Sequence, residues 1–279
     1  NTCSQPAAVG PSRTVACVPI EIESADDPRV ADYLGLRDRG DRTGEEHFIA
    51  ESELVVTRLI SSEFTARSFL LSPSRYQRMR AVLDTTHVPA YVASREVMRQ
   101  IAGFDVHRGV LASVNRRANP SLPDVLAGVR RVLVLEGSND LENIGAVARS
   151  ARALGFEALL LDPTCADPYS RRSVRVSMGE LLHLQVVRCD RWPHALELLH
   201  DAGFETWALT PAAEARNLFD MAVPEKVALM AGAEGPGLTD AARRAARFEV
   251  RIPMHGGVDS LNLGHALAIA MAAVALPVA

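Results

Sequence analysis

The sequence predicts an α/β protein in two parts: a larger C-terminal unit built on a mostly parallel sheet with helices on both faces, and a smaller α/β unit ahead of it. Two observations predict the larger unit. Short, mostly apolar runs at 131–135, 158–161, 184–187, 206–209, 227–230 and 248–252 are separated for the most part by helical segments, the pattern of a parallel sheet buried on both faces. The three loops richest in glycine and polar residues each follow one of these runs, and ligands of such sheets bind beyond the carboxyl ends of the strands. A third observation divides the units: residues 116–123 are polar and Pro-rich and read as a linker. The division is a flexible lead over 1–18, an N-terminal unit over 19–115, a linker over 116–130 and the large unit over 131–279.

Within the front unit, residues 1–18 lack hydrophobic periodicity and hold Pro6, Gly10 and Pro11. Asp26 or Asp27 before Pro28 marks a capped helix start. Residues 36–46 are charged and Gly-punctuated, a loop. A strand at 47–51 precedes a helical stripe with apolar residues at 54, 55, 56, 59 and 60. A strand at 66–71, a helix at 74–83, a strand at 89–92, a helix at 94–102 capped by Ser94 and a strand at 109–114 complete a small α/β domain.

Composition narrows the classes. With 48% hydrophobic and 23% charged residues over 279 positions, the chain can bury a sizeable core and is not a disordered segment. Cys3, Cys17, Cys165 and Cys189 form no CxxC pair, so neither a metal site nor a disulfide framework is indicated. No basic-then-apolar leader surrounds the first two, which makes the cytoplasm the expected location. The apolar run 266–279 is interrupted by Pro277 and is too short to span a membrane. A net charge of −4 argues against an indiscriminate nucleic-acid binder, yet every basic residue except Lys226 is Arg. A genome biased toward Arg codons explains that composition; the guanidinium fork also suits phosphate and base stacking.

Three constellations carry the chemistry. In the first, residues 135–155, a strand turns at Gly137 into a helix beginning near Asn143, with Arg149 and Arg152 on one face; a helix start beside Arg149 suits an anion. The second, residues 229–238, sets Gly232, Gly235, Gly237 and Glu234 directly after a strand, for close approach of a ligand or for a tight turn. The third runs from a strand at 248–252 through Pro253, Gly256 and Gly257 into a helix that Asp259 or Ser260 can cap, with Ser260 and Asn262 in its first turn. Beyond His265 that helix is apolar on every side, so each face needs cover, from the core or from a second subunit.

Together, Asn143-x-Gly145-Ala146-x-x-Arg149, Gly232-x-Glu234-Gly235-x-Gly237 and Ile252-Pro253-Met254 followed by Ser260-Leu261-Asn262 resemble the three motifs of the SpoU (TrmH-like) branch of the SPOUT RNA 2'-O-ribose methyltransferases. Arg175-Val176-Ser177-Met178-Gly179 resembles the family's intermediate RxSxG element. The resemblance covers roughly 131–276, and the front unit resembles the ribosomal-protein-like RNA-binding domain that often precedes this catalytic domain.

The resemblance implies a trefoil-knotted C-terminal domain, an obligate homodimer, and S-adenosylmethionine as methyl donor to a ribose 2'-hydroxyl of structured RNA, ribosomal or transfer. Carried over residue by residue, Gly232, Ile252, Met254 and Leu261 would hold the cofactor. Asn143, Arg149, Glu234, Ser260 and Asn262 would form the catalytic set, with Arg149 approaching the donor of the other subunit. RNA contacts would come from Arg116, Arg117, Arg171, Arg172 and Arg175 with the front domain. The sequence departs from the family after Asn262, where Leu263-Gly264-His265 stands; His265 reads as a core or interface histidine, or as an auxiliary base. Two other classes are weighed. A non-catalytic RNA-binding or assembly factor retaining the fold is disfavoured by the presence of all five polar motif residues. A nucleotide-dependent oxidoreductase is disfavoured because Gly137 and Gly145 do not make GxGxxG.

Overall fold

The computed structural model describes residues 18–36 and 46–275. The expected lead over 1–18 and loop over 36–46 lie almost entirely outside the described residues, as do Cys3 and Cys17. The front unit holds β1 (Ile20–Ile22), β2 (His47–Glu51), α1 (Glu53–Ile60), β3 (Ala66–Leu71), α2 (Pro73–Leu83), β4 (Ala90–Ala93), α3 (Arg95–Ala102) and β5 (Val110–Asn115). Its five strands are ordered β1-β4-β3-β5-β2. β5 runs antiparallel to both β2 and β3, while β1, β3 and β4 run parallel. β1 is too short to announce itself as a hydrophobic run. The helix start at Pro28 is a 3-10 turn, Pro28–Tyr33, capped by Asp27, whose carboxylate accepts from the Arg29 N–H at 2.9 Å.

The second sheet holds seven strands, all parallel, in the order β10-β12-β9-β11-β6-β7-β8. In chain order its elements are α4 (Leu122–Gly128), β6 (Arg131–Glu136), α5 (Leu141–Ala153), β7 (Ala158–Leu161), α6 (Arg171–Val176), β8 (Gln185–Arg188), α7 (Ala195–Asp201), β9 (Glu205–Leu209), β10 (Arg216–Asn217), β11 (Val227–Gly232), α8 (Asp240–Ala245), β12 (Phe248–Arg251) and α9 (Leu263–Ala275). The segment expected to be a linker over 116–130 carries α4. Its Leu122, Val125 and Leu126 follow a helical i, i+3, i+4 stripe and pack under the sheet with Val132, Leu196 and Met230. Pro120 and Pro123 masked that stripe in the sequence, although Pro123 sits in the first turn, where a missing N–H costs nothing. β10 spans only two residues at the sheet edge and carries no periodicity of its own.

Strand alternation builds two layers of core. Val132 and Val134 face α4 and α7, while Leu133 and Leu135 face α5 and α9. The second layer does not stop at the large sheet. It continues through α1 into one face of the front sheet, where Phe48, Phe69, Leu71 and Val114 belong to the same apolar cluster as Leu133 and Met271. Tyr169 stacks on Phe48 and packs edge-on to Phe64, each with ring centroids 5.3 Å apart.

Charged struts flank this shared core. Glu51, 5% exposed, accepts from Arg171 at 2.8 Å. Arg116 grips the buried Asp167 with both terminal nitrogens. Arg58 donates to the Met178 carbonyl at 2.6 Å and pairs with Glu180 at 2.9 Å. Removing one partner from a buried pair leaves the other uncompensated, so these contacts fix how the two sheets sit. No described helix is long and apolar enough to cross a membrane.

α5 and α6 meet at Gly145. A Cβ there would stand 2.6 Å from the Ser173 carbonyl oxygen and 2.8 Å from the Val176 Cβ. Gly145→Ala therefore trades roughly 1 kcal/mol of helix propensity against a backbone collision costing about 1–3 kcal/mol or more. Urea denaturation should report net destabilisation; a stabilised variant would refute the close packing.

Candidate active site

Three irregular segments meet beyond the carboxyl ends of the central strands. The first leaves β6 at Glu136, turns through Gly137 with φ of 66°, and enters α5, whose N-cap Asp140 accepts from the Glu142 N–H at 2.7 Å. That start puts Asn143 on the third helical residue, 6% exposed and facing inward. The first segment is held from the side by Asp162 at the end of β7. Its carboxylate accepts from Gly137 N at 2.9 Å, Thr164 Oγ1 at 2.6 Å and Cys165 N at 3.0 Å. Burial pushes this carboxyl up, but the hydrogen bonds together outweigh it and hold the acid below its ordinary pKa. The Cys165 thiol beside it is pushed up to about 12, first by burial and then by its contact with Asp162, and burial raises Cys189 to about 11. Neither is a thiolate near neutral pH, so thiol nucleophilic chemistry is not built here.

The second segment folds back as soon as it leaves β11. A Cβ on Gly232 would stand 2.0 Å from the Gly237 carbonyl carbon and 2.2 Å from Leu238 N. Gly237 N donates to the Ala233 carbonyl at 2.9 Å, and Gly235 and Gly237 take φ of 92° and 71°. Of the two readings the sequence left open for this glycine cluster, the tight turn is what Gly232 serves: its missing side chain makes room for the protein's own backbone.

The third segment, residues 252–262, passes Gly256 and Gly257, both with φ of 72°, and reaches α9 later than the sequence suggested. Ser260 and Asn262 precede the helix instead of occupying its first turn, and neither Asp259 nor Ser260 caps it. The cap is Asn262, whose Oδ1 accepts from His265 N at 3.2 Å and whose carbonyl accepts from Ala266 N at 2.9 Å. Apolar periodicity beginning at Leu263 locates the helix, but which of Asp259, Ser260 and Asn262 caps it is decided by tertiary contact.

Asn262 also ties the three segments together. Its Nδ2 donates to Asn143 Oδ1 at 3.0 Å and to Glu234 Oε1 at 2.7 Å, while Asn143 Nδ2 donates to the same Glu234 oxygen at 3.1 Å. Amide donors, an amide acceptor and a carboxylate thus close a triangle across segments far apart in sequence.

Beside this clasp lies a cavity of about 710 Å³, within the size range of small-molecule sites. Gly232, Glu234, Ile252, Met254, Ser260, Leu261 and Asn262 all line it, so it gathers every cofactor candidate and three of the five catalytic candidates. Asn143 stands behind the wall, bonded to two of its members. Leu209, which ends β9, and Thr210 and Pro211 directly after it also line the cavity; their place at the carboxyl end of a central strand was the one signal in the sequence for them. Apolar walls from Leu209, Ile252, Met254 and Leu261, closed by backbone groups of 231–238 and by Glu234, fit a flat heteroaromatic base carrying a polar, cationic tail.

Arg149 does not line the cavity within one chain. It stands exposed on the outer face of α5 and makes no ion pair among the described residues. His265 is exposed on the first turn of α9, so the reading of a core histidine is corrected: the burying face carries Leu263, Leu267, Ala270, Met271 and Val274.

The five arginines expected to meet RNA are all engaged within the chain. Arg116 and Arg171 hold Asp167 and Glu51; Arg117 bonds Glu63 at 2.6 Å and lies over Phe64. Arg172 pairs with Glu142, and Arg175 stands 3.8 Å from Glu51 with 42% of its side chain exposed.

Known proteins match this chain along most of its length. The SpoU rRNA Methylase family profile matches residues 130–272. An uncharacterized tRNA/rRNA methyltransferase of Mycobacterium tuberculosis is 42% identical over 252 residues, 88% of each chain. The 23S rRNA (guanosine(2553)-2'-O)-methyltransferase RlmP of Bacillus subtilis is 26% identical over 250 residues, 89% of this chain and 96% of the relative. The crystal structure of an AdoMet-bound rRNA methyltransferase from Sinorhizobium meliloti shares the fold with a TM-score of 0.79 at 24% identity, covering 92% of this chain and 97% of that one.

Asn262→Ala removes the cap and two bonds of the triangle, and leaves Asn143 and Glu234 partly unsatisfied. The variant should lose about 1–3 kcal/mol in chemical denaturation, with faster amide exchange at 263–266. Wild-type stability would mean that the triangle carries no energy.

Proposed function

The chain belongs to the SpoU rRNA methylase family, and from that premise we infer that it is an S-adenosylmethionine-dependent RNA 2'-O-ribose methyltransferase. The observation that carries the inference is the cavity bounded by 231–238, Ile252, Met254 and 260–263, whose walls suit an adenosine with a charged tail. S-adenosylmethionine, when bound, supplies an electrophilic methyl group on a sulfonium. Gly232, Ile252, Met254 and Leu261 would hold its adenosyl part, with backbone groups of 231–238 addressing its polar atoms. The names of relatives such as RlmP of Bacillus subtilis support ribosomal over transfer RNA as the substrate.

A ribose hydroxyl is a poor nucleophile near neutral pH, so the protein must align it and stabilise the oxyanion that develops. A guanidinium does not serve as a proton acceptor in proteins, so Arg149 is not the base. It serves as a clamp on RNA phosphate and on the developing alkoxide, and the proton passes to water or a phosphate oxygen. Asn143 and Asn262 hold Glu234 in place through the triangle, and Ser260 on the cavity wall offers a hydroxyl to the RNA. Among the arginines, Arg117 and Arg172 keep exposed guanidiniums in surface pairs worth little, which can exchange a carboxylate for phosphate; Arg175, 3.8 Å from the buried Glu51, keeps 42% of its side chain exposed toward the same ligand.

Because Arg149 does not line the cavity of its own chain, the reading requires a second copy, and the working form is a homodimer. The flank of α9 away from its buried stripe supports this: Ala268, Ile269, Ala272 and Ala273 are only half covered, although Ile269 and Ala273 also touch the shared core. Phe219, 58% exposed, belongs to the short turn that packs against α9. Threading of 252–262 as a trefoil knot is part of the same proposal, supported by the return of α9 onto α5 and β11. The front unit, 19–115, is proposed to bind the RNA.

Incubation with labelled S-adenosylmethionine and ribosomal RNA, followed by mapping, should yield a single 2'-O-methylated nucleotide; incorporation into a base, or into transfer RNA alone, would contradict the reading. Arg149→Ala should lower kcat about 10²–10³-fold with donor binding retained. Ile269→Asp should give monomers by analytical ultracentrifugation, with turnover lost; a fully active monomer would remove the need for a second chain.

A further inference from the structure

Glu136, the last residue of β6, is a buried carboxylate for which the chemistry above has no use. It is 5% exposed, and among the described residues no Arg or Lys pairs with it. A buried carboxylate without a cation is costly unless donors satisfy it, and three do. Oε1 accepts from Trp192 Nε1 at 2.5 Å and from Thr239 Oγ1 at 2.8 Å; Oε2 accepts from Thr239 N at 2.7 Å.

Two of these donors belong to Thr239, the residue just past the cavity wall. Thr239 follows directly on 233–238 and caps α8, its Oγ1 accepting from Ala242 N at 3.2 Å. The start of the same wall lies on the same residue, because Gly232 is the register partner of Glu136 where β11 pairs with β6. The six-residue wall thus leaves the sheet beside the backbone of Glu136 and is caught again by its side chain. Trp192, from the segment between β8 and α7, braces the carboxylate from the other side.

We propose that Glu136 is a positioning residue for the methyl donor: its carboxylate sets the spacing of the 233–238 wall and thereby the affinity of the cavity for S-adenosylmethionine. The proposal rests on the methyl-donor reading of that cavity. Glutamine keeps the shape but replaces one acceptor oxygen with an NH₂ group, which then faces a donor. A lost bond with a donor left buried corresponds to about a tenfold change in an equilibrium constant.

The test is calorimetric titration of the full chain with S-adenosylmethionine, alongside thermal melting and steady-state methylation, for wild type, Glu136→Gln and Trp192→Phe. Glu136→Gln should raise the donor Kd and KM about tenfold and leave kcat at saturating donor within about twofold; Trp192→Phe, which removes one bond, should raise Kd about threefold. A folded Glu136→Gln protein with wild-type donor affinity, or with lowered kcat and unchanged Kd, overturns the proposal. If Glu136→Gln does not fold, Trp192→Phe decides: a raised Kd supports the role and an unchanged one overturns it. Wild-type protein that binds no S-adenosylmethionine overturns the donor reading itself, and this proposal with it.

Discussion

The site depends on one small hydrogen-bonded triangle. Asn143, Glu234 and Asn262 come from the first turn of α5, the turn after β11 and the residue before α9. The triangle sets these segments against one another, and the same Asn262 starts the helix that returns to the core. This changes the meaning of the polar motif residues. Asn143 and Asn262 have their amide groups committed to neighbours, so within the chain they assemble the cavity wall; in the proposed function the chemistry falls to groups left uncommitted, above all Arg149.

A second constraint acts at longer range. The front sheet and the large sheet share one apolar layer, and buried carboxylates on each side are held by arginines from the other: Glu51 by Arg171, Asp167 by Arg116. α6 carries Arg171 and also abuts Gly145 of α5. An RNA held by the front unit, as proposed, would therefore act on a body continuous with the helix that bears Asn143 and Arg149. Part of the unusual arginine content serves this joint, where a planar fork can bind a carboxylate bidentately and lysine could not.

Much of this was legible in the sequence. Apolar runs of four or five residues located the central strands of the large sheet, because strands buried on both faces leave little choice of residue. Glycine density and the three motifs located the cavity wall. What escaped has physical causes. β1 and β10 are too short for periodicity, and the prolines around α4 imitate a linker. Arg116 and Arg171 look like free surface charge until the fold brings Asp167 and Glu51 to them. Gly232 was legible as a constrained position, but its partner proved to be backbone. The N-cap of α9 depended on which of several polar side chains the loop turned inward, and that is decided by tertiary contact with Glu234 and Asn143.

The central claim is that the walls from β11 and from the approach to α9 close as one unit around a methyl donor. Hydrogen–deuterium exchange with and without S-adenosylmethionine tests it most directly. Joint protection of 232–238 and 260–266 is expected, with the five-stranded sheet unchanged. Protection confined to the front unit, or at neither wall despite saturating donor, would contradict it.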